Sequence, residues 1–541
     1  MPRTIPTLST APWEATRGLT SLQGHEVASW IEALPLADVG ETRHRVSSSL
    51  DKLITSDLPG QERFAALELF RGPIHYLSEA LQPHFVGTAF PLTLKARGIA
   101  DQLSELQMAM AEGYQGVSDE LLDLNTVRQE FTMLATSLQR SLFYLGQVLL
   151  TSYQLYESIS ADCWRRIHRI YEAVERKGVH SSTVQDPYRQ HRQSTTAEEQ
   201  YKQILMLALT NPYRYSQTDI ASIYSLLEHW TPQCRLYSAD HPDAHQFACR
   251  VDLASDEPPS SIAYSAIPHS ATCRLLDTSA LIQSLPNSLP PGGDETSNQP
   301  SETRIPQTTV RWKDLLHSLA TAWGLTTKRR YSRAFPETSG IAISLGLSAI
   351  HPLIGKLDSM SAMEPARIKE RPGTTAARDD DDTYLCEVID ESAGGSRLKW
   401  RNINKGKIRV GELIALRQTH APGEMPGIGA IRWLKNTSRH TVEFGIQLIS
   451  PGAIPISVRL YNVNDQESGH DYLKGLYIPE FKAIRQPASL ILPAFLYRVD
   501  DVISLVMDHR EHCLQLIKVI ETTQGFSRYY YSSLATPQEH H

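Results

Sequence analysis

The sequence predicts a multidomain α+β protein in which an N-terminal helical bundle precedes an antiparallel β-barrel region with additional β structure. The chain has 541 residues, which is more than one ordinary domain holds. Apolar residues recur every three or four positions as far as about residue 178. From Phe247 onward, short β-like runs alternate with clusters of Pro, Ser and Asp. This change of period separates a helical part from a β part.

The composition indicates a globular protein of the cytosol. Charged residues make up 21% of the chain and hydrophobic residues 41%. The net charge of −7 argues against a surface that binds nucleic acid. No apolar run reaches the roughly 18 residues that span a bilayer, and Met1–Ile5 does not lead into the apolar core of a secretory signal. The six cysteines are widely spaced and form no C-x-x-C pair, which predicts reduced thiols and no structural metal.

The N-terminal 180 residues have the pattern of a helical bundle. The best segment is Phe131–Tyr156, where Leu134, Leu138 and Leu142 begin an apolar stripe along one helix face. The polar stretch Lys177–Ser194 predicts a linker or a long loop. Two capping patterns then predict a helical pair or connector over residues 195–235.

The rest of the chain has the pattern of β structure in several units. A small β-rich segment is expected over 245–310, ending in a mobile loop rich in Pro, Gly, Ser and Asn. A barrel is expected over 327–460, with residues 350–382 as an insertion that is loop-like from Lys356. The strands of 461–535 exceed what one small barrel needs, so they form either a second barrel or an extension of the first.

A polar corner between two β-like runs is the most informative stretch. Asp390-Glu391-Ser392-Ala393-Gly394-Gly395 joins Tyr384–Ile389 to Ser396–Trp400. An acid, a hydroxyl two residues later and a glycine pair are typical of a tight turn between strands. Such a corner has no particular function by itself, but arginine pairs lie upstream of it.

These pairs are spaced i, i+4: Arg329 with Arg333, and Arg367 with Arg371. Arginines four apart followed by Asp-x-Ser-x-x-Gly on a strand pair resemble the PilZ domain. That family consists of small bacterial β-barrels that bind the second messenger cyclic di-GMP. Gly429–Trp433 and Phe444–Leu448 also look like the closing strands of such a barrel, so the resemblance extends from Lys328 to about Pro455.

The resemblance implies a PilZ-like barrel with cyclic di-GMP as its ligand. An arginine guanidinium forms parallel hydrogen bonds with phosphate or with guanine O6 and N7, and it stacks on a base. Asp390 is expected to accept from guanine N1 and N2, and Ser392 to add a hydroxyl contact. Gly394 and Gly395 are expected to let the backbone approach the ligand, because a side chain would clash there.

Two sets of arginines are candidates for this site. We prefer Arg329, Arg330 and Arg333, because the strand-like run Gly340–Leu347 separates them from Asp390 as in PilZ domains. Arg367 and Arg371 are the alternative. They lie closer to Asp390 in sequence, but no convincing strand intervenes.

The leading functional expectation is a cytosolic cyclic di-GMP receptor that changes its domain arrangement or its binding to an unidentified protein partner. The resemblance implies motility or biofilm behaviour as the output. The alternative is a scaffold with a degenerate PilZ-type barrel that binds proteins without ligand. An enzyme is not expected, since the sequence has no Walker loop, no dinucleotide fingerprint and no G-x-S-x-G.

Overall fold

The predicted fold class is confirmed: a helical region is followed by β-rich regions that include two closed barrels. The structure is a computed structural model. It describes residues 21–123, 128–242, 247, 249–261, 270–287, 307–324, 333–335, 340–361, 383–401, 406–419, 424–438, 440–461, 472–482, 486–507 and 510–534. Within these ranges, every helix is too short or too polar to cross a bilayer.

The N-terminal region is a bundle of amphipathic helices. The apolar stripe predicted from Leu134 onward lies in its core, where Leu138, Leu142 and Leu145 are buried. Thr196 and Glu199 form the expected capping box at the start of α7. The helices are α1 (Ser21–Glu32), α2 (Val39–Ile54), α3 (Gly60–Leu81), α4 (Leu94–Asp123), α5 (Arg128–Gln154), α6 (Cys163–Arg176), α7 (Ala197–Leu209) and α8 (Gln217–Trp230).

The polar stretch that the sequence suggests as a linker or a long loop is anchored inside this bundle. Its short strands β1 (Val184–Gln185) and β2 (Ser194–Thr195) pair with each other. Asp186 is fully buried, and its carboxylate accepts from Arg71 at 2.7 Å and from Arg140 at 3.0 Å. Glu68 pairs with Arg140 at 3.1 Å. A buried carboxylate requires such partners. Because these partners lie on helices far away in sequence, the polar composition of this stretch does not by itself indicate that Asp186 is buried.

A small antiparallel sheet and two helices lead to the barrels. The sheet has the order β3-β6-β4-β5. Trp323, at the end of α10, donates to the carbonyl oxygen of Met206 on α7 at 3.1 Å, which holds α10 against the bundle. The elements are β3 (Arg235–Ser238), β4 (Cys249–Asp252), β5 (Ser260–Ser261), β6 (Cys273–Asp277), α9 (Ser279–Ser284) and α10 (Gln307–Trp323).

The first barrel closes in the order β10-β11-β12-β9-β8-β7. Its interior, which includes Leu398, Ile431 and Phe444, is continuous with the core of the helical bundle. Backbone hydrogen bonds between Phe90 and Ile408, at 2.8 and 3.0 Å, join the two. The elements are β7 (Gly340–Leu345), α11 (Leu347–Ser361), β8 (Tyr384–Ser392), β9 (Gly395–Arg401), β10 (Leu413–Gln418), β11 (Gly427–Ser438) and β12 (Thr441–Ser450).

The start of the expected insertion is helical rather than loop-like. Helix α11 extends to Ser361, beyond the point where the sequence suggests a loop. Pro352 and Gly355 interrupt the helical pattern, and this hides a stripe formed by Leu347, Ile350 and Ile354. That stripe packs against outward-facing residues of the first barrel on one side and against the second barrel on the other.

The C-terminal strands form a second barrel of their own, with the order β13-β14-β15-β18-β17-β16. Val458, Leu490, Leu505 and Tyr529 belong to its own core. Of the two arrangements left open by the sequence, the separate barrel is therefore the one observed. The strands are β13 (Ile454–Leu460), β14 (Leu473–Ile478), β15 (Ser489–Pro493), β16 (Val502–Met507), β17 (Arg510–Thr522) and β18 (Phe526–Ser533).

Candidate ligand-binding face

A β-bulge at Ile389 brings Asp390 to the outer surface of the first barrel. Val388 lies opposite Leu398, and the next pair is Asp390 with Arg397, so Ile389 is the extra residue. Without it, strict alternation would send the Asp390 side chain toward the barrel interior with Val388. The bulge therefore sets Asp390 and Arg397 side by side on one face.

Arg333 covers Asp390 from the solvent side. Its Nη1 donates to both carboxylate oxygens of Asp390, at 2.7 and 2.6 Å. The neighbouring residue Ala334 forms antiparallel backbone hydrogen bonds with Glu391, at 2.9 and 3.0 Å. The Asp390 side chain is only 5% exposed, whereas that of Arg333 is 39% exposed. Residues Arg333 and Ala334 are thus attached to the Asp-x-Ser-x-x-Gly corner by side chain and main chain respectively.

The rest of the corner packs tightly on β12. Ser392 donates through Oγ to the carbonyl oxygen of Gly395 at 3.1 Å. Leu448 donates its backbone N–H to the carbonyl oxygen of Gly394 at 3.0 Å. Gly395 has φ +151°, and a Cβ there would lie 1.9 Å from the carbonyl oxygen of Ile446. Only glycine fits at this position, because β12 passes directly against it.

Arg397 and Glu443 extend the polar face, although neither belongs to the site predicted from the sequence. Arg397 pairs with Glu443 at 2.5 Å and approaches Asp390 to 4.0 Å. Lys399 lies 3.5 Å from the other oxygen of Glu443. Burial opposes ionisation of Glu443, but Arg397 and Lys399 outweigh it and hold the pKa of that carboxyl below its usual range. Alternation along β9 is the signal in the sequence that places Arg397 and Lys399 on one face.

Trp433 forms a flat shelf beside these charges. It lies opposite Gly445 on β12, and a Cβ at Gly445 would be 1.9 Å from the indole Nε1, so the ring rests directly on the strand. The Arg397 guanidinium lies over this ring, 5.9 Å from its centroid. In the sequence, the run Gly429–Trp433 indicates a barrel strand, but it does not show that Trp433 faces the same surface as Arg397.

Arg333, Asp390, Ser392, Gly394 and Gly395 are therefore brought together by the structure. Arg329, Arg330, Arg367 and Arg371 lie outside the described residues. Among the residues that the structure does describe, no cluster of three or more His, Cys, Asp and Glu side chains has the arrangement of a metal site.

The face combines partly exposed guanidinium groups with an aromatic surface. Its arginines, Arg333 and Arg397, are 39% and 38% exposed, and each is held by a carboxylate that is itself largely buried. Phosphate oxygens accept the same charge-assisted hydrogen bonds, so an anionic ligand can take the place of these carboxylates. The half-buried indole of Trp433 offers a surface on which a planar base can stack. The arrangement suits a ligand with both phosphates and planar bases.

Comparison with known proteins gives three adjacent family matches. The N-terminal domain of the cyclic-di-GMP receptor FimW matches residues 25–242, its middle PilZ domain matches 249–363 and 353–455, and its C-terminal β-barrel domain matches 457–534. A curated relative, the cyclic-di-GMP receptor FimW of Pseudomonas aeruginosa, is 25% identical over 559 residues. The alignment covers 94% of this chain and 90% of that relative.

Proposed function

Because this chain belongs to the PilZ domain family through its middle domain, we propose that it is a receptor for cyclic di-GMP. The observation that carries the proposal is the attachment of Arg333 and Ala334 to the Asp390 corner, through the Ala334–Glu391 backbone pair and the Arg333–Asp390 ion pair. The relative that matches along nearly the whole chain carries the same ligand in its name.

We propose that Arg329, Arg330 and Arg333 bind the ligand together with the corner residues Asp390, Ser392, Gly394 and Gly395. The backbone pair of Ala334 with Glu391 supports this choice over Arg367 and Arg371, because it holds Arg333, the last arginine of the preferred set, at the corner. The ligand module would then cover 327–460, with 350–382 as an insertion that begins within α11.

Arg397 and Trp433 complete the proposed site. The Arg397 guanidinium lies between the carboxylate of Asp390 and the ring of Trp433, so it can reach a phosphate placed on the shelf. The indole provides a stacking surface for guanine. These residues extend the site beyond the Arg and Asp-x-Ser-x-x-Gly motifs.

Ligand binding would proceed by exchange of partners. Arg333 leaves Asp390 for a phosphate or a guanine edge, and Asp390 becomes free to accept from guanine N1 and N2. The exchange replaces one charge-assisted contact by another, so its net cost is small compared with the gain from the ligand's remaining contacts. The receptor would act by binding rather than catalysis, and its output is a changed contact with a protein partner.

The helical region is in place to respond to such an exchange. Asn436, near the end of β11, donates its backbone N–H to the carbonyl oxygen of Tyr156 at 2.7 Å. Trp433 lies three residues before Asn436 on the same strand. We also propose a cytoplasmic location, which fits the free thiols of Cys163, Cys234 and Cys249, all buried.

Calorimetric titration of the full-length protein with cyclic di-GMP tests the proposal. We expect wild type to bind, and Arg333→Ala to bind about 10- to 100-fold more weakly, because an arginine contact to a charged group is lost. Arg459→Ala is a matched control, since Arg459 is an exposed, ion-paired arginine of the second barrel. An Arg367→Ala/Arg371→Ala variant should bind as wild type does. A wild-type protein that takes up no cyclic di-GMP would support the scaffold alternative instead.

A further inference from the structure

We infer that Glu521 of the second barrel competes with cyclic di-GMP for Arg432, so that ligand capture of Arg432 opens the contact between the two barrels. This rests on the proposed function and concerns the regulation of the same site. It assigns a role to an arginine that belongs to neither predicted arginine pair.

Arg432 lies at the edge of the candidate ligand face. The β11–β12 register shifts between Ile431 and Trp433, which makes Arg432 the bulged residue beside the Trp433 shelf. Its Nε donates to the side-chain oxygen of Gln447 at 2.8 Å. Gln447 in turn lies opposite Gly395 on β9. The guanidinium is therefore close to both the stacking surface and the Asp-x-Ser-x-x-Gly corner.

Arg432 also lies at the border of the contact between the two barrels. Leu413, Ala415, Ile428 and Ala430 form an apolar cluster with α11 and with Phe526 of the second barrel. In the strand order of the barrel, β11 with Arg432 lies between β10 and the strands β9 and β8, which carry Arg397 and Asp390. A change in the Arg432 side chain can therefore affect the ligand face and the contact between the barrels together.

Glu521 holds Arg432 with both carboxylate oxygens. Arg432 Nη1 donates to Oε1, and Nη2 donates to Oε2 at 3.0 Å. The two side chains are only 29% and 21% exposed. A two-point pair that is largely shielded from water is stronger than an exposed one, but a phosphate offers the guanidinium the same geometry. Glu521 thus occupies Arg432 as a ligand phosphate would.

The carboxylates that pair with Arg333, Arg397 and Arg432 do not all belong to the same barrel. Asp390 and Glu443, which pair with Arg333 and Arg397, belong to the first barrel itself. Glu521 belongs to the second barrel. Exchange at Arg333 or Arg397 therefore leaves the barrels in contact, whereas exchange at Arg432 removes an ion pair between them.

Release of Arg432 would also leave acidic groups facing each other. Helix α10 packs against β17, and burial and the charge of Glu521 raise the pKa of the Asp314 carboxyl on that helix. Arg528 lies opposite Glu521 in the β17–β18 register, and its Nε donates to Ser489. Loss of the Arg432 charge from this cluster would weaken the attachment of β17 to its surroundings.

Thermodynamic linkage gives the test. If the ligand and Glu521 exclude each other at Arg432, removal of the carboxylate must strengthen ligand binding. We expect Glu521→Gln to bind cyclic di-GMP about fivefold more tightly than wild type in calorimetric titration, the lower end of usual coupling strengths. Glu511→Gln is the matched control, because it makes the same change at an arginine-paired glutamate of the second barrel. It should bind as wild type does.

A double-mutant cycle separates competition from a general effect of charge. In an Arg432→Ala background, Glu521→Gln should leave the affinity unchanged, because the residue it releases is gone. An equal gain in both backgrounds, or no gain in wild type, would overturn the competition while leaving the receptor proposal intact. Absence of binding to wild type would instead remove the receptor proposal. If Glu521→Gln proves unstable, Glu521→Asp serves the same purpose, because its shorter side chain cannot hold both guanidinium nitrogens.

Hydrogen exchange provides an independent readout. Cyclic di-GMP should speed amide exchange in β17 around Glu521 in wild type, since the contact that holds this strand to the first barrel is lost. The Arg432→Ala variant should show no ligand-dependent change there. Slower exchange in β17 of wild type on ligand addition would contradict an opening of the contact.

Discussion

Asp390 stands opposite Arg397 across the first hairpin of the barrel because Ile389 bulges out of the strand between them. This one extra residue shifts the pleat, so that an acid and an arginine share the outer surface. The remaining predictions depend on this face and on the helices that support it.

Replacing Arg397 should weaken cyclic di-GMP binding without unfolding the barrel. We expect Arg397→Ala to lose about tenfold in affinity, because a charged hydrogen bond is removed from a partly exposed site. Isothermal titration measures the change. Arg401→Ala is the control, since Arg401 is on the same strand and pairs with Glu387 at 3.0 Å, away from Asp390. Equal losses in both variants would show that general charge, rather than position, determines the affinity.

The Trp433 shelf should bind one of the bases. Trp433→Ala is expected to lose about 1–3 kcal/mol of ligand binding energy, the usual contribution of a base stacked on an aromatic side chain. Trp433→Phe should keep part of it, because a smaller ring still offers a flat surface. Equilibrium titration with fluorescent cyclic di-GMP compares the two variants. Unchanged affinity in Trp433→Ala would place the bases elsewhere.

Gly395 should tolerate no side chain. We expect Gly395→Ala to lower the free energy of unfolding by about 2–4 kcal/mol, because the added Cβ meets the backbone of β12 and the backbone angle is strained. Urea denaturation measures this. Gly452→Ala is a suitable comparison, since a Cβ there has open space. A variant at Gly395 as stable as the one at Gly452 would mean that β12 moves aside easily.

The buried cluster around Asp186 should make the helical bundle sensitive to acid. Burial raises the pKa values of Asp186 and Glu68, but Arg71 and Arg140 outweigh it, so both folded-state values lie below the usual carboxyl range. Groups with depressed pKa values stabilise the fold above about pH 4, and this stabilisation is lost as the pH falls through the folded-state values. Melting temperatures of wild type should therefore fall as the solution is acidified below that point.

Asp186→Asn provides the matched comparison for this acid sensitivity. It should cost about 3–5 kcal/mol at neutral pH, because Arg71 and Arg140 lose their shared counter-charge in the interior. Its stability should also vary less with pH in the acid range. A variant with the full pH dependence of wild type would show that other carboxylates are responsible.

Local patterns predicted the helical stripe of α5 and the polar corner at Asp390, since both depend on residues close together in sequence. The burial of Asp186 was not predictable in this way, because its partner Arg71 lies 115 residues away. Likewise, Arg397 and Trp433 meet only because β9 and β11 flank the same strand. Helix α11 was missed because Pro352 lies within it and breaks the pattern. The preferred set of Arg329, Arg330 and Arg333 stays a prediction, because Arg329 and Arg330 lie outside the described residues.

The apolar stripe of α11 packs into both barrels at once, and this has a consequence for how the chain folds. Leu347, Ile350 and Ile354 lie on the helix that follows β7 of the first barrel, yet they share one apolar cluster with Leu476 and Phe526 of the second. A chain that stops before β13 would expose this apolar stripe to water and would therefore tend to aggregate. We therefore expect the two barrels to melt in a single cooperative transition rather than one after the other.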